Sequence, residues 1–379
     1  MLEELGVRPV INAAGTVTVL GGCQVDDEVL DAMREAAKVY VDMNELHAKA
    51  GEFIARLTGA EAAYVTNGAA AGLVLSVAAC MTMGKTDLMS KLPATDGMKN
   101  EVIVQWAHRN MYDYNLELSG ARIKEIGHER WTKRTDLEDA INEKTAAVVH
   151  FVFDPQEGVL PLNDVIEISH ERGVPVIVDA AAELPPKENL MKFVKMKADL
   201  VLFSGGKDIG APNDTGIILG RQDLVQQCMR LGPHSYEKVD SKVRVYIGRP
   251  MKSSKEDILG LLAASKRYLQ TDHEMRIREW DRKLQYMISE LSECKGVNVR
   301  RFEPTVGHNR PACIPRVELE FPNSPTSAGK YAEELKKQDP PIYAYVMNDK
   351  LYLNPQCLKD GEERIVVSSL RRLLSSHST

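Results

Sequence analysis

In residues 45–58, ELHAKAGEFIARLT, the apolar positions are Leu46, Ala50, Phe53, Ile54 and Leu57. That spacing predicts a helix with one buried stripe. AAYVTNG (62–68) reads as a short strand end and a turn. AAAGLVLSVAACMTM (69–83) has almost no polar position and predicts a helix buried on most sides; it is too short and too rich in alanine to span a bilayer. EVIVQW (101–106), ARIKEIG (121–127) and TAAVVHFVF (145–153) read as strands. Helices are expected from Asp136 and over LNDVIEISHERG (162–173), the latter stopped by Gly173. VPVIVDAAA (174–182), ADLVLFSGGK (198–207) and TGIILGRQDLVQQCM (215–229) continue the alternation. The strands are apolar on both faces and alternate with helices, the pattern of a mainly parallel sheet covered by helices: an α/β fold.

Near residue 250 the texture changes. Residues 254–294 predict one or two long amphipathic helices. PRVELEF (315–321), a helix over 327–338, PIYAYVMNDKLYL and a final helix after Gly361 suit a smaller α+β domain. The expected division is an N-terminal segment 1–25, a large domain 26–260 and a small C-terminal domain 261–379. A chain of 379 residues is long enough for two domains.

Composition removes several function classes. A net charge of −6 speaks against a nucleic-acid coat. The six cysteines form no C-x-x-C pair, so neither a disulfide framework nor a zinc site is expected, and no metal is assigned. That usage fits a reducing, cytoplasmic setting. The first residues, MLEELGVRPVINAAG, lack the basic-then-apolar order of a signal peptide.

In open α/β sheets ligands bind beyond the carboxyl ends of the strands. The residues expected there are Gly68, Ala69 and Ala70 after the first strand, His108 after VIVQW, Asp154 after HFVF, Asp179 after VPVIV, and Ser204 and Lys207 after LVLF. The lysine stands in FSGGKDIGAPNDTG (203–216), which is not a P-loop, because Asp208 follows it where that motif needs a serine or threonine. A helix opened by Thr66-Asn67-Gly68-Ala69-Ala70 offers free N–H groups to one phosphate, or is a plain helix cap. Asp179 at the end of an apolar strand needs a cationic partner, or caps the next helix. His108 reads as a plate against an aromatic ring, or as a hydrogen-bonded strand-end histidine. Lys207 reads as a Schiff-base lysine, or as a solvated loop residue. Taken in chain order these residues fit pyridoxal phosphate: a phosphate cradle, a stacking residue, an acid for the pyridine nitrogen, and a lysine for the aldehyde.

The stretches RPVINAAGTVTVLGG (8–22), NELHAKAGEFIARLTGAEAAYVTNGAAAGL (44–73), VIVQWAHRNMYDY (102–114), VIVDAAAELPP (176–186) and FSGGKDIGAPNDTGIILG (203–220) resemble the aspartate-aminotransferase superfamily of fold-type-I pyridoxal-phosphate enzymes. Within it they are similar to the selenocysteine-synthase-like group. The N-terminal stretch and GRPMKSSKEDILGLLAA (248–264) resemble the D-glucosaminate-6-phosphate ammonia-lyases. The resemblance implies a seven-stranded sheet in the large domain. It makes Lys207, Asp179 and His108 the catalytic set, with Asn67, Gly68, Ala69, Ala181 and Ser204 also at the cofactor. Thr16, Arg249 and Lys252 are the expected substrate contacts, with Arg249 first for a carboxylate or phosphate; Arg310, Arg316 and Arg364 are alternatives. A homodimer or larger ring acting on a small amino substrate is implied, with no membrane.

The expected reaction is an α,β-elimination that turns a hydroxy-amino acid or amino-sugar acid, with or without phosphate, into a 2-oxo acid and ammonia. Racemisation and aldol cleavage would use the same lysine. Selenium or sulfur transfer on an aminoacyl-tRNA is a further alternative; the N-terminal tRNA-binding domain of those transferases has no counterpart in the resemblance, so nucleic acid is not expected as a partner.

Overall fold

The computed structural model describes residues 1–152, 158–239, 242–304, 311–322 and 326–376. These form two compact units, Met1–Gln24 with Thr271–Thr379, and Val25–Gln270.

The first strand, β1 (Ile11–Ala13), belongs to the smaller unit. The larger unit follows with β2 (Ala62–Thr66), β3 (Glu101–Gln105), β4 (Arg122–Ile126), β5 (Thr145–Phe151), β6 (Val176–Asp179), β7 (Leu200–Ser204) and β8 (Gly216–Gly220). They make one seven-stranded sheet in the order β2-β8-β7-β6-β5-β3-β4. All neighbours are parallel except those of β8, which runs antiparallel to both β2 and β7. The fold is therefore α/β with a mainly parallel sheet, as the double-sided apolar strands predict.

Successive strand residues feed opposite cores. Ile103, Val148, Val178, Val201 and Phe203 enter one. Val102, Val104, Val149, Ile177, Leu200 and Leu202 enter the other, which also takes the Gly68–Thr82 helix. Twelve of that helix's fifteen residues are buried, which explains why no polar stripe is visible in its sequence. The Met43–Thr58 helix starts at Asp42, whose carboxylate accepts the Asn44 and Glu45 N–H groups, and stops at Gly59.

Beyond β8 the basic stretch near residue 240 forms an antiparallel hairpin, β9 (Tyr236–Val239) with β10 (Lys242–Val245), which sequence patterning did not predict. The expected long amphipathic region is two helices, Lys255–Gln270 and His273–Ser292, and the division between the units falls between them.

In the smaller unit β11 (Asn298–Phe302), β12 (Arg316–Glu320), β13 (Ile342–Met347) and β14 (Lys350–Leu353) join β1 in the order β1-β13-β14-β12-β11. β1 pairs in parallel with β13, and its buried Ile11 and Ala13 reach the same core as Leu284, Leu319 and Leu351. That pairing ties the first residues to the last third of the chain. Among the described residues no helix is long and apolar enough to cross a membrane.

Candidate active site

β7 ends in Ser204, and Gly205–Ile209 then makes one wide turn carrying Lys207 at φ −107°, ψ −128°. The turn is tied back by Gly205 N–H to the Thr215 carbonyl (2.8 Å) and Ala211 N–H to the Gly205 carbonyl (3.0 Å). The two glycines before the lysine are required by space. A Cβ on Gly205 would stand 2.1 Å from Thr215 Oγ1, and one on Gly206 would stand 2.4 Å from Asn213 Cα. Lys207 is thus held on a tightly folded base. Burial lowers its pKa, and the charge of Asp179 opposes that shift.

Asp179 is the last residue of β6, the strand beside β7. Its Oδ1 accepts the Ala181 N–H at 2.9 Å. Burial raises its pKa; the Ala181 hydrogen bond and then the Lys207 charge pull the other way. A carboxylate in this position is incompletely compensated, and a cation delivered beside it would relieve the desolvation. The amine and the acid sit on adjacent strand ends, one shifted toward its neutral form and the other in need of a cationic partner.

One row of the sheet faces the helix that follows β2. Thr66, Gly216 and Ser204 are in register across β2, β8 and β7. A Cβ on Gly216 would be 2.4 Å from the Gly68 carbonyl carbon and 2.7 Å from the Ala69 nitrogen, so the sheet presses on the start of the Gly68–Thr82 helix. Gly68 has φ +74°, which a side chain would strain. Among the described residues no side chain makes a capping bond to this helix start. Asn67, the residue at the cap position, instead donates from Nδ2 to the Lys252 carbonyl at 3.1 Å. The helix therefore keeps uncapped first-turn N–H groups beside a serine hydroxyl, the requirements for a phosphate cradle.

The Asn67 bond also brings residues 249–252 to this helix start. His234 feels the charges of Arg249 and Lys252, which lower its pKa after burial has done so first. Both cations are exposed. The structure thus gathers Asn67, Gly68, Ala69, Asp179, Ala181, Ser204 and Lys207 at the carboxyl-end side of one unit, with Lys252 bound to Asn67 through its carbonyl and Arg249 three residues before it.

His108 closes a single turn, Trp106–His108, after β3. It is 1% exposed, and burial pushes its pKa down to about 4. Asn110 Nδ2 donates to its carbonyl at 2.8 Å, and Arg109 bridges Asp113 and Glu125 just outside. Its ring meets that of His150 edge to face, with centroids 4.5 Å apart. Thr16, Arg316 and Arg364 belong to the other unit; Asp154 and Arg310 lie outside the described residues.

Sequence reasoning missed His150, Gly216 and His234. A histidine inside an otherwise apolar strand was the available signal for His150. Gly216 needed the antiparallel placement of β8, which no local pattern announces.

The family model of L-seryl-tRNA selenium transferase matches residues 10–359. The chain is 35% identical to a 5'-C-glycyluridine monooxygenase-decarboxylase of a Streptomyces species, over 99% of this chain and 92% of that one. It is 32% identical to a D-glucosaminate-6-phosphate ammonia lyase of Salmonella typhimurium, over 98% and 97%. Among solved structures a D-glucosaminate-6-phosphate ammonia-lyase superposes with a TM-score of 0.83 at 30% identity, covering 100% of this chain and 99% of that one.

Proposed function

The chain belongs to the L-seryl-tRNA selenium transferase family, and from that premise we propose that it is a lyase eliminating water and ammonia from a small hydroxy-amino acid or amino-sugar acid. It is an enzyme of the fold-type-I class, and its cofactor is pyridoxal phosphate. The residues described above fit that cofactor: a helix start that Asn67 leaves uncapped, a half-buried acid whose pKa burial raises, and an amine whose pKa burial lowers. The observation that carries the reading is the end-to-end likeness, in sequence and in fold, to an ammonia-lyase.

When bound, the cofactor supplies an electron sink that loosens the Cα–H bond of the amino substrate. The rest is work for this chain's side chains. The N–H groups of Gly68 and Ala69 and the Ser204 hydroxyl would receive the phosphate. Asp179 would hold a proton at the ring nitrogen, and such a charge pair would offset the desolvation that raises its pKa. His108, buried and neutral, would cover the ring face. Lys207, the proposed anchor for the aldehyde, would take the Cα proton at Nζ; burial lowers its pKa, which favours the free base that this task needs. The same ammonium then returns a proton to the departing β-hydroxyl. Loss of water leaves a product that hydrolyses to a 2-oxo acid and ammonia. Arg249 and Lys252 hold the acidic group of the substrate. The substrate enters from solution, and a second copy of the chain as partner remains part of this proposal.

A second reading rests on the monooxygenase-decarboxylase likeness: loss of CO2 from a glycine-type substrate with uptake of O2. One experiment separates the two. The cofactor-loaded protein is offered D- and L-serine, D- and L-threonine, and amino-sugar acids with and without phosphate. Equal release of ammonia and 2-oxo acid without O2 uptake supports elimination. CO2 release coupled to O2 uptake supports the second reading. A reducible cofactor with neither outcome on any substrate overturns both for this panel's chemistry and moves the assignment to racemisation, aldol cleavage or transfer.

A further inference from the structure

His150 is a polar residue in a strand otherwise made of Ala, Val and Phe. It is 1% exposed, and neither ring nitrogen has a hydrogen-bond partner among the described residues. A neutral imidazole carries one donor and one acceptor, and both are left unmade here. A valine at this position would bury the same strand face without that cost. The residue therefore needs another reason to be there, and its aromatic contact among the described residues gives it. The His150 and His108 rings stand 4.5 Å apart at an interplanar angle of 86°, the edge-to-face arrangement that aromatic quadrupoles favour.

We propose that His150 is a positioning residue whose ring sets the plane of His108 against the cofactor. The inference rests on the reading of His108 as the residue that covers the cofactor ring. The backbone of His108 is fixed from the other side by Asn110 Nδ2, and the neighbouring Arg109 is clamped by Asp113 and Glu125. Those contacts hold the chain, and the edge of the second ring bears on the imidazole itself. Burial lowers the pKa of both histidines, and each would repel a charge on the other. The pair is accordingly neutral, so His108 presents an uncharged aromatic face where a cation would oppose a protonated cofactor ring.

The test compares His150→Val, which removes the ring but suits a strand, with His150→Phe, which keeps it. The readouts are the visible circular dichroism of the bound cofactor and the Kd for pyridoxal phosphate, each measured on protein shown to be folded by its far-ultraviolet spectrum. Loss of the aromatic pair in His150→Val is expected to weaken cofactor binding about tenfold and to reduce the visible signal. His150→Phe is expected to stay within about twofold of the parent on both, since it keeps the edge-to-face pair. A folded His150→Val with the parent's signal and Kd overturns the proposal, and so does a folded His150→Phe that loses both. If the valine variant does not fold, His150→Leu takes its place with the same expected and contrary results. His108→Ala tells the two readings apart. No change in signal or Kd there sinks the assignment of His108 itself, whereas a change there with none in His150→Val sinks only the role of His150.

Discussion

Two aspartates lie at opposite ends of neighbouring strands in the same sheet. Asp199 immediately precedes β7 and is 2% exposed. Its oxygens accept from Val176 N (2.7 Å) and Arg221 Nη1 (2.8 Å) and meet His170 Nε2 at 2.8 Å. Asp179 ends β6 and has one backbone N–H on its Oδ1. The first is a carboxylate whose charge is matched by its surroundings, and it staples the amino ends of two strands to the helix carrying His170. The second is held by the fold in a state the fold does not complete. Asp199 does structural work; Asp179, whose pKa burial raises and which has one backbone N–H on Oδ1, is placed where a cation would relieve that burial.

The sharpest way to break that contrast is at Lys207. Lys207→Ala is expected to abolish turnover, a loss beyond about 10³-fold, and with it the cofactor adduct trapped by borohydride and seen by mass spectrometry. Near-parent activity would remove Lys207 from the site. Next come the aspartates, which should fail on different axes. Asp179→Asn is expected to lower kcat by roughly 10²-fold or more. It should also leave the cofactor-free protein no less stable. The sign follows from the raised pKa: the penalty on the folded carboxylate is absent below the unfolded value of 3.8 and grows as pH rises toward the folded one. At neutral pH a neutral amide escapes it. Asp199→Ala should do the reverse, costing about 3 kcal/mol in urea unfolding because it strips three polar groups of their acceptor, with activity per folded molecule near the parent's. Equal stability losses for both would erase the distinction between the two ends of the sheet.

A smaller effect sharpens the same point through pH. The neutral amine of Lys207 is the form that can bond an aldehyde. Burial lowers its pKa below the ordinary 10.5, so the fraction of reactive amine, and with it the rate at which cofactor-free protein takes up pyridoxal phosphate, rises with pH with its midpoint below 10.5. Stopped-flow absorbance across pH 6–10 checks this. In Asp179→Asn the opposing charge is gone, and the curve should shift further to lower pH; a shift the other way would contradict the coupling of the two groups.

The strand ends were legible because double-sided apolar runs stop abruptly, and whatever polar residue comes next must lie at an end of the sheet. That logic reached Ser204, Lys207, Asp179 and His108. It also covered the helix start at Gly68, since a turn with Asn-Gly precedes a long apolar run. Strand order was not legible. The insertion of β8 between β2 and β7 is a long-range pairing, and with it went the role of Gly216, whose missing side chain lets one strand lie against Gly68 and Ala69. Nor could the three residues Ile11–Ala13 show a period, so their pairing with β13 has no local signature. His150 hid for the opposite reason: a single histidine in a buried strand looks like core, and its partner lies on a turn some forty residues earlier.

The smallest expected effect separates two arginines as the first comparison separated two aspartates. Arg221 is committed to structure, bridging Asp199 and Asp223. Arg249 is exposed and makes no ion pair among the described residues, yet the Asn67 bond to the Lys252 carbonyl keeps its segment beside the helix start. An arginine left unpaired beside a site is available to an acidic substrate. Arg249→Ala should therefore raise KM about tenfold with kcat within about twofold, because the contact is made equally in the ground state and the transition state. Arg249→Lys should recover part of the loss, keeping the charge and losing the two-pronged donor. Added salt should raise KM in the parent more than in Arg249→Ala. If the alanine variant instead lowers kcat at unchanged KM, Arg249 acts on the reacting groups, and the substrate's acidic group is held by another cation.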